Sequence, residues 1–217
     1  MSALFERLQR LFDEGHGVEL PGLLNQGQFA PPEIRPAAVL IAVTDRPEPG
    51  VILTHRPDDM RAHPGQVAFP GGKLDPGEDA VAAALREAHE ELSINPSDVR
   101  IIGASDRFIT GTGYDVTPVL ALVPPNLPIV PNPVEVASWF EAPLGFVLDP
   151  ANHAHKEKEW FGRMRPYIEI DWQGHLIWGI TAAILANLSR HARRRARLAR
   201  IAAVIPQIRC PCQSISM

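Results

Sequence analysis

The chain has 217 residues, with 21 Lys and Arg against 25 Asp and Glu, a formal net charge of −4. Apolar residues make up 45% and charged residues 21%, which excludes collagen-like, low-complexity and disordered chains and predicts one large domain, with or without arms. The acidic balance argues against a general nucleic-acid binder, which carries a basic footprint.

In chain order, Leu4, Phe5, Leu8, Leu11 and Phe12 recur at helical spacing, so an amphipathic helix is predicted over residues 3–12, ended by Gly15, Gly17 and Pro21. A loop rich in Gly, Gln and Pro leads to an apolar run at 37–43 that reads as a buried strand. The turn Arg46-Pro47-Glu48-Pro49-Gly50 and a second apolar run at 51–54 make this a hairpin. A helix is predicted over 79–92, and strands over 99–103, 116–123, 134–140, 167–172 and 175–178. Residues 124–133 are too rich in proline for regular structure. From Ile180 onward the pattern is helical. Mixed strands with one central and two terminal helices predict a layered α/β (α+β) domain. Its expected organisation is an N-terminal arm at 1–35, the main domain at 36–190 and a basic helix end and tail at 191–217.

Cys210 and Cys212 are too few for a disulfide framework and lack zinc spacing, so they read as a reduced tail. Glu6, Arg7 and Arg10 interrupt any leader-like apolar stretch. The longest apolar run, 176–188, is too short for a bilayer and is broken by Gly179, Thr181 and Asn187. These features predict a cytoplasmic protein with no membrane partner. The arginine-dense stretch from Arg190 to Arg200 reads as a solvated helix end whose charges suit the C-terminal dipole, not as an RNA surface.

The helix at 79–92 carries a core stripe of Val81, Leu85, Ala88 and Leu92. Glu87, Glu90 and Glu91 gather on another face, where like charges cost an isolated helix about 0.2–0.5 kcal/mol per pair. No lysine lies one turn away, although Arg86 reaches Glu90. A solvated acidic face is the bland reading. A hard divalent cation shared with substrate phosphates is the functional one. The glycine-rich loop Phe69-Pro70-Gly71-Gly72-Lys73 just upstream favours the second.

From Gly72, five residues lead to Glu78 and seven more to Arg86-Glu87-Ala88-His89-Glu90-Glu91-Leu92-Ser93-Ile94. This resembles the Nudix box, G-x5-E-x7-R-E-U-x-E-E-x-G-U with U apolar. Every position matches except Ser93, where the family has glycine. A serine resists the left-handed backbone by roughly 1–2 kcal/mol, so local geometry is in question there, not the acidic set. The resemblance implies a mixed sheet sandwiched between helices and hydrolysis of a nucleoside diphosphate linked to a further group. It implies Glu87, Glu90 and Glu91 as ligands of Mg²⁺ or Mn²⁺, and Glu78 with Arg86 as a bracing ion pair. Glu87 and Glu90 from the box, or Glu135 after the proline loop, are the candidate catalytic carboxylates, with the general base left open between Glu87 and Glu135.

The segment from Ile52 to Gly72 also resembles the signature of the coenzyme A pyrophosphatase branch of that family, L-L-T-x-R-S-x3-R-x3-G-x3-F-P-G-G. Thr54, Arg56, Arg61, Gly65, Phe69, Pro70, Gly71 and Gly72 match, and Pro57 replaces a small polar residue. The implied substrate is coenzyme A or acyl-coenzyme A, bound through Arg56, Arg61, Gly71 and Gly72. The alternatives are ADP-ribose, a dinucleotide, an oxidised nucleoside triphosphate, or a Nudix-like binding protein without turnover. No nucleic-acid partner is expected, and a homodimer is left open. His55 and His63 read as loop histidines, and Trp139, Trp160, Trp172 and Trp178 as core or interface residues.

Overall fold

The computed structural model describes residues 2–16, 27–60, 63–160 and 162–204. Arg61 and the Cys210/Cys212 tail lie outside them, as do the side chains of Trp160 and of residues 194–204. The elements in order are α1 (Ala3–His16), β1 (Arg35–Thr44), β2 (Gly50–His55), β3 (Val67–Ala68), β4 (Gly71–Lys73) and α2 (Ala80–Leu92). They continue with β5 (Arg100–Ala104), β6 (Phe108–Ile109), β7 (Tyr114–Val123), β8 (Ser138–Pro143) and α3 (Leu144–Val147). The chain then forms β9 (Ala154–Trp160), β10 (Arg163–Trp172), β11 (His175–Trp178) and α4 (Gly179–Val204).

The main sheet runs β3-β2-β1-β7-β5, with β4 on β1, β6 on β7 and β8 on β2. β1 and β7 pair in parallel along their whole length, from Arg35 opposite Tyr114 to Thr44 opposite Val123. β1 is buried on both faces, which explains why its sequence is a continuous apolar run with no alternation. Ala38, Leu40 and Ala42 face α2, and Ile41 and Val43 face the opposite layer. That layer holds α1, α4 and the small antiparallel sheet β11-β10-β9, whose Ile168, Ile170 and Ile177 join its core. The sheet is therefore sandwiched, as the family resemblance implied.

Three local expectations are corrected. The strand predicted at 134–140 starts at Ser138, because Asn132 turns the chain first, accepting from Val134 N–H through its side chain and from Glu135 and Val136 N–H through its carbonyl. β9 has no counterpart among the predicted strands. Its His155-Lys156-Glu157-Lys158-Glu159 run is exposed and lacks apolar alternation, as suits an edge strand that must repel pairing partners. On α2 the buried stripe consists of Ala83, Ala84, Ala88 and Leu92, while Val81 and Leu85 are half-buried. The alanines let the helix lie close to the sheet, which carries Glu91 below the surface.

One edge of β1 is divided. β2 takes it near Val43, and β4 takes it at Ala37, Ala38 and Val39. Between them Leu40 N–H donates to Pro70 O at 2.8 Å. A side chain at Gly71 would stand 2.4 Å from Ala38 O, so only glycine lets the loop cross here. The crossing loop feeds α2 directly and fixes where the acidic helix starts.

Candidate active site

Asp79 caps α2, its carboxylate accepting from Ala82 N–H at 2.8 Å. Two turns along, Arg86 is held by Glu78 in a two-pronged pair: Nε to Oε1 and Nη2 to Oε2, both 3.0 Å. Nη2 also donates to Lys73 O at 2.9 Å. This cross-link ties the helix to the loop and raises the already high pKa of Arg86, chiefly through Glu78. The same guanidinium reaches Glu87 Oε1 and Glu90 Oε2, each at 3.0 Å.

Glu87, Glu91 and Glu135 each place a carboxylate oxygen within 4.8 Å of the others. Glu87 and Glu91 share a helix face by their spacing of four. Glu135 arrives from the proline-rich loop, which docks on the end of α2: Val130 N–H donates to Leu92 O at 3.0 Å and Asn132 N–H to Glu91 O at 2.8 Å. Val136, buried beside Glu135, anchors the turn. The loop thus satisfies carbonyls that the helix end leaves free and delivers a third carboxylate in doing so. Ser93 adopts the left-handed conformation, with φ 56°, and its hydroxyl donates to Val130 O at 3.2 Å.

Glu90 is not in the cluster; it is exposed and engaged with Arg86. The family resemblance implied Glu87, Glu90 and Glu91 together as ligands, and their spacing gathers all three on one side of the helix. Only the arrival of Glu135 shows which carboxylates converge. Gly72 makes room for them, since a Cβ there would stand 2.3 Å from Glu87 Oε1.

The electrostatics of the cluster are strained. Glu91 is only 6% exposed, and its Oε2 has no hydrogen-bond partner. Burial first, then the charge of Glu87, pushes its carboxyl up to about 8, against the pull of the Gly71 N–H and Arg56. Glu87 is also raised, mainly by burial. Three converging carboxylates, one with an orphaned buried oxygen, fit a hard divalent cation, which takes oxygen ligands and supplies the missing charge.

Arg56 follows β2 and lies near enough to Glu91 to act on its charge; its Nε is buried without a partner. His55 points to the other face, where its Nε2 lies 2.8 Å from Nδ1 of His175 and the His175 ring stacks on Phe140 at 3.9 Å. His63 sits in an exposed turn with φ 57°. Trp172 packs against Phe146, and Trp178 meets the Tyr167 ring edge-on. Trp139, expected in a core or interface, is 38% exposed and so lies outside the core of the chain.

A second cluster, His16, Asp106 and His191, lies on the far side of the sheet. Its four imidazole nitrogens are all in hydrogen bonds, to Phe12 O, Ser105 Oγ, Gly15 O and Asp106 Oδ2. The rings stack at 4.1 Å with 17° between their planes, so their in-plane lone pairs run side by side and do not converge. This is a fastening of α1 to α4.

The NUDIX domain model matches residues 34–166, the span from β1 into β10 that contains the whole acidic cluster. The chain belongs to the Nudix family. It is 39% identical over 193 residues to a protein of Enterobacter sp. (strain 638) named "Uncharacterized Nudix hydrolase NudL", covering 81% of this chain and 96% of that relative. A protein of the same name from Yersinia pestis (strain Pestoides F) is 42% identical over 158 residues, covering 72% of this chain and 79% of its own. Among solved structures, a Nudix hydrolase from Alicyclobacillus acidocaldarius shares the fold, with a TM-score of 0.51, 20% identity and coverage of 72% and 91%. The mixed sheet flanked by helices is thus a Nudix fold. The Nudix chain described here is a hydrolase of nucleoside diphosphate derivatives, a family that generally uses divalent metals such as Mg²⁺ or Mn²⁺. No helix among the described residues is long and apolar enough to cross a membrane.

Proposed function

We propose that this Nudix hydrolase cleaves the diphosphate bond of coenzyme A or its acyl derivatives in the cytoplasm. The products are adenosine 3′,5′-bisphosphate and 4′-phosphopantetheine, or its acyl form. The observation that carries the reading is Arg56. The segment resembling the coenzyme A signature folds as β2, a loop, β3 and β4, and it leaves Arg56, with a buried unpartnered Nε, near enough to Glu91 to act on its charge. A forked cation facing carboxylates that would hold a cation suits a phosphate lying between the two. Arg61, the other arginine of that signature, is proposed for the same anionic substrate from its sequence position alone.

Glu87, Glu91 and Glu135 are the residues proposed to hold Mg²⁺ or Mn²⁺. The bound ion neutralises charge on the phosphoryl oxygens and orients the substrate. Everything else is asked of the chain. Water attacks a phosphorus of the diphosphate, its oxygen forms the new P–O bond, and the bridging P–O bond breaks. The departing phosphate takes the electron pair. A carboxylate accepts the proton of the water, and Glu87 or Glu135 is placed for it. Glu90, tied to Arg86, is proposed to help hold the helix-to-loop cross-link and to leave the proton to those two. Gly71 and Gly72 bring backbone close to the phosphates, as only residues without side chains can here.

Mass spectrometry of products from coenzyme A, acetyl-coenzyme A, 3′-dephospho-coenzyme A, ADP-ribose and a dinucleoside polyphosphate, each with Mg²⁺ or Mn²⁺, tests the reading. The expected result is adenosine 3′,5′-bisphosphate from coenzyme A at the highest kcat/KM of the panel. A wild type that prefers ADP-ribose or the dinucleotide loses the coenzyme A assignment and keeps the Nudix one.

A further inference from the structure

β8 lies antiparallel on β2 with Trp139 opposite Thr54 and Ser138 opposite His55. Directly opposed residues project to the same face, and residues two apart on a strand do so as well. Trp139 therefore shares a face with Thr54, two residues before Arg56, where the chain leaves β2. Ile52 on that face is buried against α2, whereas His55 and Phe140, of opposite parity, pack on the far layer. Trp139 thus stands on the active-site side of the sheet. Four residues earlier in the same segment is Glu135, a member of the carboxylate cluster. Among the described residues its indole stacks on no other ring, although it is a large apolar group at a strand position.

We infer that Trp139 is the platform on which the base of the bound nucleotide stacks. The inference rests on the proposed reading only in placing phosphates between Arg56 and the carboxylates. From such a phosphate, a nucleotide presents a flat aromatic ring one ribose away. Trp139 lies opposite Thr54, two residues before Arg56, so its indole stands in the neighbourhood that a base one sugar away would occupy. An exposed indole face is matched by a planar π-system, and the flexible amide arm on the other side of the diphosphate offers none. Stacking of this kind accepts any base, so it serves coenzyme A and its nucleotide rivals alike.

The test is calorimetric titration, with Mg²⁺, of adenosine 5′-monophosphate and of ribose 5-phosphate into the full chain, as wild type, Trp139→Phe and Trp139→Ala, each checked by thermal melting. The wild type should bind the nucleotide more tightly than the base-free sugar phosphate. Trp139→Ala should weaken the nucleotide at least about fivefold, the low end of one base–aromatic stack, and leave ribose 5-phosphate unchanged. Trp139→Phe should keep most of the affinity. The inference is overturned if the wild type shows no preference for the nucleotide, if Trp139→Ala leaves it unchanged, or if both ligands weaken together. Should this pattern appear in an enzyme that leaves coenzyme A intact, the substrate assignment fails and the stacking platform stands. Coenzyme A hydrolysis without the pattern removes the platform and keeps the substrate assignment.

Discussion

Glu91 and Ser93 show how far one residue can be read from its neighbours. Burial, and after it the charge of Glu87, pushes the Glu91 carboxyl up to about 8 in the folded chain, against 4.5 for its ordinary value. Between those pH values the folded state binds the extra proton, so this group's stabilisation is present below 4.5 and is lost as pH rises through 8. Scanning fluorimetry should show the metal-free protein melting lower at pH 8 than at pH 6 through this group, with Glu91→Gln flattening the slope. Mg²⁺ should raise the melting temperature more at pH 8 than at pH 6, because the deprotonated carboxylate is the form that binds it. A metal-induced rise equal at both pH values would remove Glu91 from the ligand set. Ser93 carries its left-handed backbone without the freedom of glycine. Ser93→Gly should stabilise by about 0.5–1 kcal/mol, less whatever its exposed hydrogen bond to Val130 contributes, and leave kcat unchanged. A large fall in kcat would mean that Ser93 positions the Glu135 loop.

α1 and α2 lie on opposite faces of the sheet and divide the labour between them. α1 sets Phe12 over Gly103, where a Cβ would stand 2.4 Å from the ring, and is closed at its end by the His16–His191 stack. His191 links Gly15 O to Asp106, so one side chain joins both terminal helices to the β5–β6 turn. Asp106→Ala should cost about 1 kcal/mol, since Asp106 is partly exposed, and should speed hydrogen exchange across α1. Because none of this touches the carboxylate face, kcat should hold. A fall in kcat without faster exchange would show coupling through the sheet. α2 brings Glu87 and Glu91 to the carboxylate cluster, and its alanine stripe lets it lie low on the sheet.

In the whole molecule the candidate active site forms where three separate segments meet: the loop crossing at Pro70 and Gly71, the acidic helix, and the proline loop docked on that helix's end. Activity should therefore vanish in excess chelator and return with Mg²⁺ or Mn²⁺. Glu87→Gln should lower kcat by about a hundredfold or more, the scale of losing a major electrostatic stabiliser. Glu90→Gln should lower it much less, and equal losses would restore Glu90 to the metal set. Full turnover in chelator would remove the metal role altogether.

The box from Gly72 to Ile94 was legible because its residues act within one loop and one helix, where spacing alone fixes geometry. The central strand was legible because burial on both faces leaves a continuous apolar run. The Glu78–Arg86 brace follows from the same short range. Glu135 could be named from sequence as a candidate base, but its convergence with Glu87 and Glu91 depends on Asn132 and Val130 docking onto the end of α2, some forty residues after the box. Glu90 stands apart from the converging carboxylates, exposed where its neighbour Glu91 is buried, and which of two adjacent glutamates is buried depends on what packs against the helix. The charged strand β9 has no periodic signal because an edge needs none. Spacing along the chain determined which side chains share a face. Only the packing of distant segments decided which of those faces meet, because a carboxylate's partners are set by distance through space.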